Sequence, residues 1–243
     1  MRVPVQQRSR PFSNAALLAA LFSLSCSPAA LSQGVPKIMP LGDSITWGAH
    51  RTETIPGGYR KELGNRLTGA GTTYDFVGHG TGNPAPGLDP HHNGNNGIRT
   101  DQVLTNIQQW MTVNPDIVLM KLGTNDMLQK VPVHVAAENI RTLIHRITDN
   151  APNRRLYVAT IIPIVETRDG RTAAEWAPIV NAYNAEVRKL VAEHAAQGRK
   201  VRLADAHANI VYTDPNPANN FFQPTDGTHP ATAGYKQLGA FWF

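Results

Sequence analysis

Cysteine is almost missing: Cys26 is the only one in 243 residues. It falls inside an N-terminal stretch that reads as a removable leader, so the mature chain is expected to hold no disulfide, no thiolate nucleophile and no cysteine-based metal site. Long apolar runs are also missing. The one clear block, Ala15 to Leu24, is too short to cross a bilayer as a helix. No Lys-Ser or Lys-Thr follows Gly42 and Gly48, which excludes a phosphate loop there. No Gly-x-Ser-x-Gly surrounds Ser44, which excludes the nucleophile elbow of the α/β-hydrolases. Internal repeats are absent too.

The basic surplus disappears once it is located. The formal net charge is +5, from 23 Lys and Arg against 18 Asp and Glu. Arg2, Arg8 and Arg10 precede the apolar block, and small residues from Ser27 to Ser32 follow it. That layout is a secretory signal peptide over residues 1–33, with cleavage expected beside Gln33. Without residues 1–32 the chain keeps 20 basic and 18 acidic residues, a net charge of +2, so nucleic acid is not an implied partner. A lipid anchor on Cys26 is the alternative, but Ser23-Leu24-Ser25 makes a poor acceptor context. The protein is expected to be secreted, with residues 34–243 forming one domain.

Within that domain, strands and helices alternate. Apolar runs predict strands at Val35–Leu41, Tyr74–Val77, Asp116–Leu122, Leu156–Ile162 and Val201–Ala204. Pro36, Lys37 and Pro40 interrupt the first run and place it near the start of the domain. Helical spacing links Tyr59, Leu63 and Leu67, then Val103, Ile107 and Trp110, then Ala136, Ile140, Leu143 and Ile147. A longer stripe runs through Trp176, Val180, Tyr183, Val187 and Leu190. Pro230 is expected in the first turn of a last helix, where its missing N–H costs nothing. Alternation of this kind predicts a parallel sheet covered on both faces, a three-layer α/β/α sandwich with five central strands.

Chemistry gathers where such strands end. Gly42-Asp43-Ser44 follows the first strand, and a helix is expected beyond the next glycines. Gly97 closes a loop from Gly78 that has no periodicity and is rich in Asn, Pro and His. Gly123-Thr124-Asn125-Asp126 follows the third strand, and Asp226-Gly227-Thr228-His229 comes near the end. Ester hydrolysis at neutral pH needs an activated nucleophile, a base with a pKa near 7, and donors for the developing oxyanion. Ser44 offers the hydroxyl and His229 the base. Asp226, three residues before His229, can reach the other imidazole nitrogen and fix its tautomer. The backbone N–H groups of Ser44 and Gly97 and the side-chain amide of Asn125 are the candidate oxyanion donors. Glycine at 97 would let bare backbone approach a substrate. Asp43 and Asp126 are expected to tie loops together.

Each residue also has a plainer reading. Ser44 and Thr46 could cap a helix, as could Asn125, and Asp226-Gly227 could be only a turn. Gly94 rivals Gly97. Trp47 could stack on a sugar ring or simply pack under the nucleophile loop. Asp89, His91 and His92 invite a metal reading, but their spacing fits no common zinc pattern. His194 and His207 read as ordinary surface or helix-face histidines.

Four blocks in this order make the sequence resemble the SGNH hydrolases, also called the GDSL family. The resemblance covers nearly all of residues 34–243. Within the family the chain is most similar to the family 3 carbohydrate esterases that deacetylate xylan. Gly-Asp-Ser-Ile-Thr in the first block and His92-Asn93-Gly94-Asn95-Asn96-Gly97 in the second carry that likeness. Asn93 and Asn96 depart from the His-Glu-Gly-His-Ser-Gly that those relatives commonly show. The resemblance implies a flavodoxin-like sheet and a serine esterase; joined to the leader pattern, it gives the expectation of a secreted, monomeric enzyme that needs no cofactor or metal. Its expected substrate is a short acyl ester, acetyl on plant-wall polysaccharide above all. Two rivals stand beside it: a lipase or lysophospholipase of the same fold, and a carbohydrate-binding relative without turnover.

Overall fold

Strand β1 (Lys37–Gly42) buries its last five residues and lies inside the sheet, not at its border. In the computed structural model, which describes residues 34–168, 170–213 and 216–243, the backbone groups of even-numbered β1 residues face one neighbour and those of odd-numbered residues the other. The carbonyls of Pro36, Ile38 and Gly42 accept from Asp75, Val77 and Asn95 on one side, while that of Lys37 accepts from Asp116 on the other. The short strands β2 (Asp75–Phe76) and β3 (Asn93–Gly94) therefore share one edge of β1, at its beginning and its end. Pro40 faces the gap between them. Its missing N–H leaves no ladder bond broken, which is why a proline survives in an interior strand. The leader expected over 1–33 lies outside the described residues.

The remaining strands are β4 (Ile117–Lys121), β5 (Arg155–Ala159) and β6 (Val201–Ala204). All pair in parallel in the order β2-β1-β4-β5-β6, so the sheet is five strands wide with β3 sharing the edge held by β2. From β1 the chain moves outward to β2, then returns across β1 to β4. That reversal opens a crevice at the carboxyl ends of β1 and β4, where open α/β sheets place their ligands.

Alternation along the strands fills both faces. Met39, Leu41, Val118, Met120, Leu156 and Val158 point to one side. There they meet α3 (Thr100–Trp110), α5 (Val133–Thr148) and α6 (Ala173–Ala196) through Val103, Ile140, Leu143, Tyr183 and Val187. Ile38 and Leu119 point to the opposite side, toward Leu63 of α2 (Tyr59–Gly69). Tyr59 joins Ile45, Tyr235 and Leu238 of α8 (Thr232–Trp242) in an adjoining cluster. Truncating a fully buried leucine such as Leu143 to alanine would cost about 2–5 kcal/mol. The α/β/α expectation thus holds.

Two local features differ from the expected pattern. The helix expected beyond the glycines is α2, entered from Gly58, but it is preceded by an unexpected one-turn α1 (Ser44–Trp47) that starts at Ser44 itself, because the Asp43 carboxylate caps it by accepting from the Ile45 N–H at 2.9 Å. Pro230 lies just outside α8, since Ala231 is the N-cap and its N–H is spent on the Phe221 carbonyl. Short helices α4 (Thr124–Leu128) and α7 (Ala206–Asn209) have too few residues to show a period. Among the described residues, no helix is long and apolar enough to cross a membrane.

Candidate active site

Three strand ends and one late turn build the site. Ser44 is 8% exposed at the first position of α1, directly behind β1. Its Oγ lies 2.8 Å from Nε2 of His229, although 185 residues separate them in sequence. Nδ1 of His229 lies 2.8 Å from Oδ2 of Asp226. The same carboxylate takes three backbone donors: Thr228 N–H and His229 N–H on Oδ1, at 3.1 and 3.0 Å, and Arg51 N–H on Oδ2 at 3.0 Å. Burial alone would raise the pKa of Asp226. The bonds from the His229 side chain and backbone, with the imidazole's charge, outweigh it and hold the carboxyl well below its usual range. An ionised, fully buried Asp226 then fixes the tautomer that leaves Nε2 free to accept the Ser44 proton.

The second wall comes from the loops after β3 and β4. Gly94 and Gly97 now separate. Gly94 is buried against α1, and a Cβ there would press on the Trp47 N–H at 2.5 Å. Gly97 is exposed, with φ of +75° and nothing within 4 Å of a Cβ position. Asn125, in the first turn of α4, donates one amide hydrogen to the Ile98 carbonyl at 3.0 Å. Gln129 donates to the Gly97 carbonyl at 3.1 Å and accepts from Arg99 at 2.7 Å. Asp126 is fully buried and takes the Thr100 N–H and hydroxyl, the latter at 2.5 Å. The segment 95–100 is thus fastened to α4 at three points, and its exposed peptides are prearranged.

Behind Ser44 lies a buried polar layer. Arg60 donates to the carbonyls of Thr46, Trp47, Gly82, Asn83 and Pro90, joining α1 to the long loop. Burial lowers its pKa to about 10. Asp43 and Lys121 are both fully buried; burial lowers the Lys121 pKa, and the Asp43 charge opposes that. Lys121 donates to Thr124 Oγ1 at 3.3 Å, at the start of α4. Trp47 packs against Gly82, where a Cβ would meet its Nε1.

The histidines outside the site have separate duties. His92 is buried, accepting from Gly94 N–H at 2.8 Å and donating to the Gly82 carbonyl at 2.9 Å. Both its nitrogens are thereby committed to backbone. Asp89 accepts from the Phe76 and His91 N–H groups and pairs with the His91 ring at 2.7 Å. Among the described residues, no group of three or more His, Cys, Asp or Glu is arranged to hold a metal ion. His194 is not a surface residue: it is 1% exposed on the inner face of α6, edge-on to His145 at 4.8 Å. Its place in the helix carried too little pattern to separate it from a solvent-facing one.

Arg51, Gln129 and Arg60 escaped sequence reasoning. Arg51 acts through its backbone, which leaves no trace in residue type. Arg60 sits among charged neighbours in α2, and only its unbroken burial marks it.

Family comparison decides what this arrangement belongs to. The model described as GDSL-like Lipase/Acylhydrolase matches residues 38–242. The chain belongs to that family. Similar solved structures include a Clostridium thermocellum family 3 carbohydrate esterase, 32% identical with a TM-score of 0.70, covering 86% of this chain and 94% of that one. A family 3 carbohydrate esterase from Talaromyces cellulolyticus is 25% identical with a TM-score of 0.68, covering 86% and 94%. The multidomain esterase of Ruminococcus flavefaciens is 28% identical over 233 residues, 86% of this chain. The chain spans 28% of that relative's length. As a GDSL-like acylhydrolase, the described domain is a carboxylic ester hydrolase.

Proposed function

We propose that this GDSL-like protein is a secreted serine esterase that removes short acyl groups, acetyl above all, from plant-wall polysaccharide such as xylan. The observation that carries the catalytic part is the unbroken hydrogen-bond chain Ser44–His229–Asp226, with both links at 2.8 Å. Ser44 Oγ attacks the ester carbonyl carbon while His229 Nε2 takes its proton. The carbonyl oxygen becomes an oxyanion, met by the Ser44 and Gly97 N–H groups and the second amide hydrogen of Asn125. Collapse expels the sugar hydroxyl, which leaves with the proton from His229. Water then attacks the acyl-Ser44 ester by the same base, releasing the acid and restoring the serine.

The substrate half of the reading draws on the likeness to family 3 carbohydrate esterases and on the polar loop lining the approach. Asn96 and Gly97 are exposed there, as is Arg51, and the loop has few large apolar side chains to grip a long acyl tail. Secretion rests on the leader pattern in residues 1–33. The test is acetate release from acetylated xylan set beside a series of aryl esters from acetyl to octanoyl. Rates falling steeply with chain length support the reading; a maximum at octanoyl reverses it in favour of a lipase. A serine-directed organophosphate that leaves Ser44 unlabelled would indicate a binding protein instead.

A further inference from the structure

One buried carboxylate beside the site has no part in the chemistry above. Glu166 lies in the loop between β5 and α6, with its side chain only 7% exposed. Three contacts join it and its neighbour to Arg51 and to the turn that carries Asp226 and His229. Its Oε1 accepts the hydroxyl of Thr228, the residue before His229. Its Oε2 pairs with the Arg51 guanidinium, and Arg168 lies 3.5 Å from Oε1. Next to it, Val165 N–H donates to the Gly227 carbonyl at 2.8 Å. Gly227 can come this close only as glycine, because a Cβ would overlap the Glu166 backbone.

These contacts converge on Asp226 from two directions. Arg51 is held by its side chain to Glu166 while its own N–H donates to Asp226 Oδ2, the oxygen that also receives His229 Nδ1. Thr228 is held by its hydroxyl to Glu166 while its N–H donates to Asp226 Oδ1. The turn 226–229 has no helix or strand of its own. Its orientation rests on contacts with other segments, and a buried charge with two cationic partners is a stiffer tether than a neutral bond.

We propose that Glu166 is a positioning residue for the hydrolytic reaction: it clamps the Arg51 and Thr228 segments so that Asp226 and His229 stay aligned with Ser44. Glu166 touches neither substrate nor reacting atoms. Its contribution is to kcat, because misplacing a catalytic group by about 1 Å can cost ~10²-fold. The inference rests on the serine-esterase reading, and the experiment separates the two.

Wild type, Glu166→Gln, Glu166→Ala and Ser44→Ala are compared on an aryl acetate, with thermal unfolding of each. Gln keeps the shape and an oxygen for Thr228 but gives up the charge facing Arg51. We expect kcat to fall about tenfold for Glu166→Gln and about 10²-fold for Glu166→Ala, with KM within threefold of wild type. Organophosphate capture by Ser44 should slow in the same proportion. The acid limb of the kcat/KM profile should move to lower pH, because a loosened carboxylate stabilises the imidazolium less. Wild-type kcat in a folded Glu166→Ala protein, or a loss confined to KM, overturns the proposal. Where Glu166→Ala fails to fold, Glu166→Gln decides: unchanged kcat and an unchanged pH limb also overturn it. Undiminished turnover in Ser44→Ala rejects the esterase mechanism itself, whatever Glu166 does.

Discussion

Replacing Asp226 by asparagine changes one atom type and no shape, yet the structure assigns it a large kinetic cost. The carboxylate receives four N–H donors, two on each oxygen: Thr228 and His229 backbone on Oδ1, Arg51 backbone and His229 Nδ1 on Oδ2. An amide has one oxygen and one NH2 group. Turned one way, its NH2 faces two backbone N–H groups that cannot reorient. Turned the other way, it faces the Arg51 N–H and the imidazole. Only the imidazole can adapt, by presenting the Nδ1 lone pair and moving its hydrogen to Nε2. His229 would then donate to Ser44 rather than accept from it. A base locked in the wrong tautomer loses about 10⁴-fold in kcat, or roughly 5.4 kcal/mol of transition-state stabilisation. The orphaned Arg51 N–H adds about 1–3 kcal/mol of lost stability. Initial rates on an aryl acetate at neutral pH, with a melting curve to show folding, measure both. A folded Asp226→Asn protein within tenfold of wild-type kcat would refute the assignment of Asp226 as the orienting acid.

Further outcomes follow from other residues. Ser44→Ala should abolish hydrolysis, and Asn125→Ala should lower kcat by about 10²–10³-fold, the usual effect of removing one oxyanion donor; near-wild-type turnover in either contradicts its role. Burial, helped by the Arg60 charge, pushes the His92 pKa down to about 4. Between that value and the unfolded 6.5 the unfolded chain binds a proton that the folded one refuses, so stability should fall as pH drops through this window, by on the order of 3 kcal/mol. Equilibrium unfolding of His92→Gln beside wild type checks it, the variant being less stable at pH 7 and flatter toward acid. Gly94→Ala should destabilise by several kcal/mol, because the new methyl meets backbone on α1, whereas Gly97→Ala should cost only about 1 kcal/mol, from its positive φ. Denaturant midpoints of the two variants should therefore differ clearly, and equal shifts would count against the packing argument.

Periodic segments were legible because burial on a sheet imposes a period. The strand at Ile117–Lys121 and the helices carrying Leu143 and Val187 follow directly from apolar spacing. The residues of the Ser44–His229–Asp226 hydrogen-bond chain were legible for a different reason: they stand beside glycine in short polar blocks, one after a strand and one in a late turn. What stayed hidden acts without a pattern. How Pro40 is tolerated in an interior strand could not be read from sequence, because the gap between β2 and β3 is a property of two distant segments. The one-turn α1 went unseen because a single turn capped by Asp43 has no periodicity. Arg51 works through a peptide N–H, and Glu166 through partners more than 60 residues away at Thr228. Long-range polar contacts carry no local signature, so only the folded coordinates reveal them.

The 185-residue separation between Ser44 and His229 has a consequence for biosynthesis. Ser44 leaves the ribosome among the first residues of the domain and His229 among the last, and α8, made later still, packs on α2 beside Ser44's own turn. While this domain is being made, the Ser44 hydroxyl therefore has no imidazole beside it. The two meet only once the last helix of the domain docks against one made at its outset.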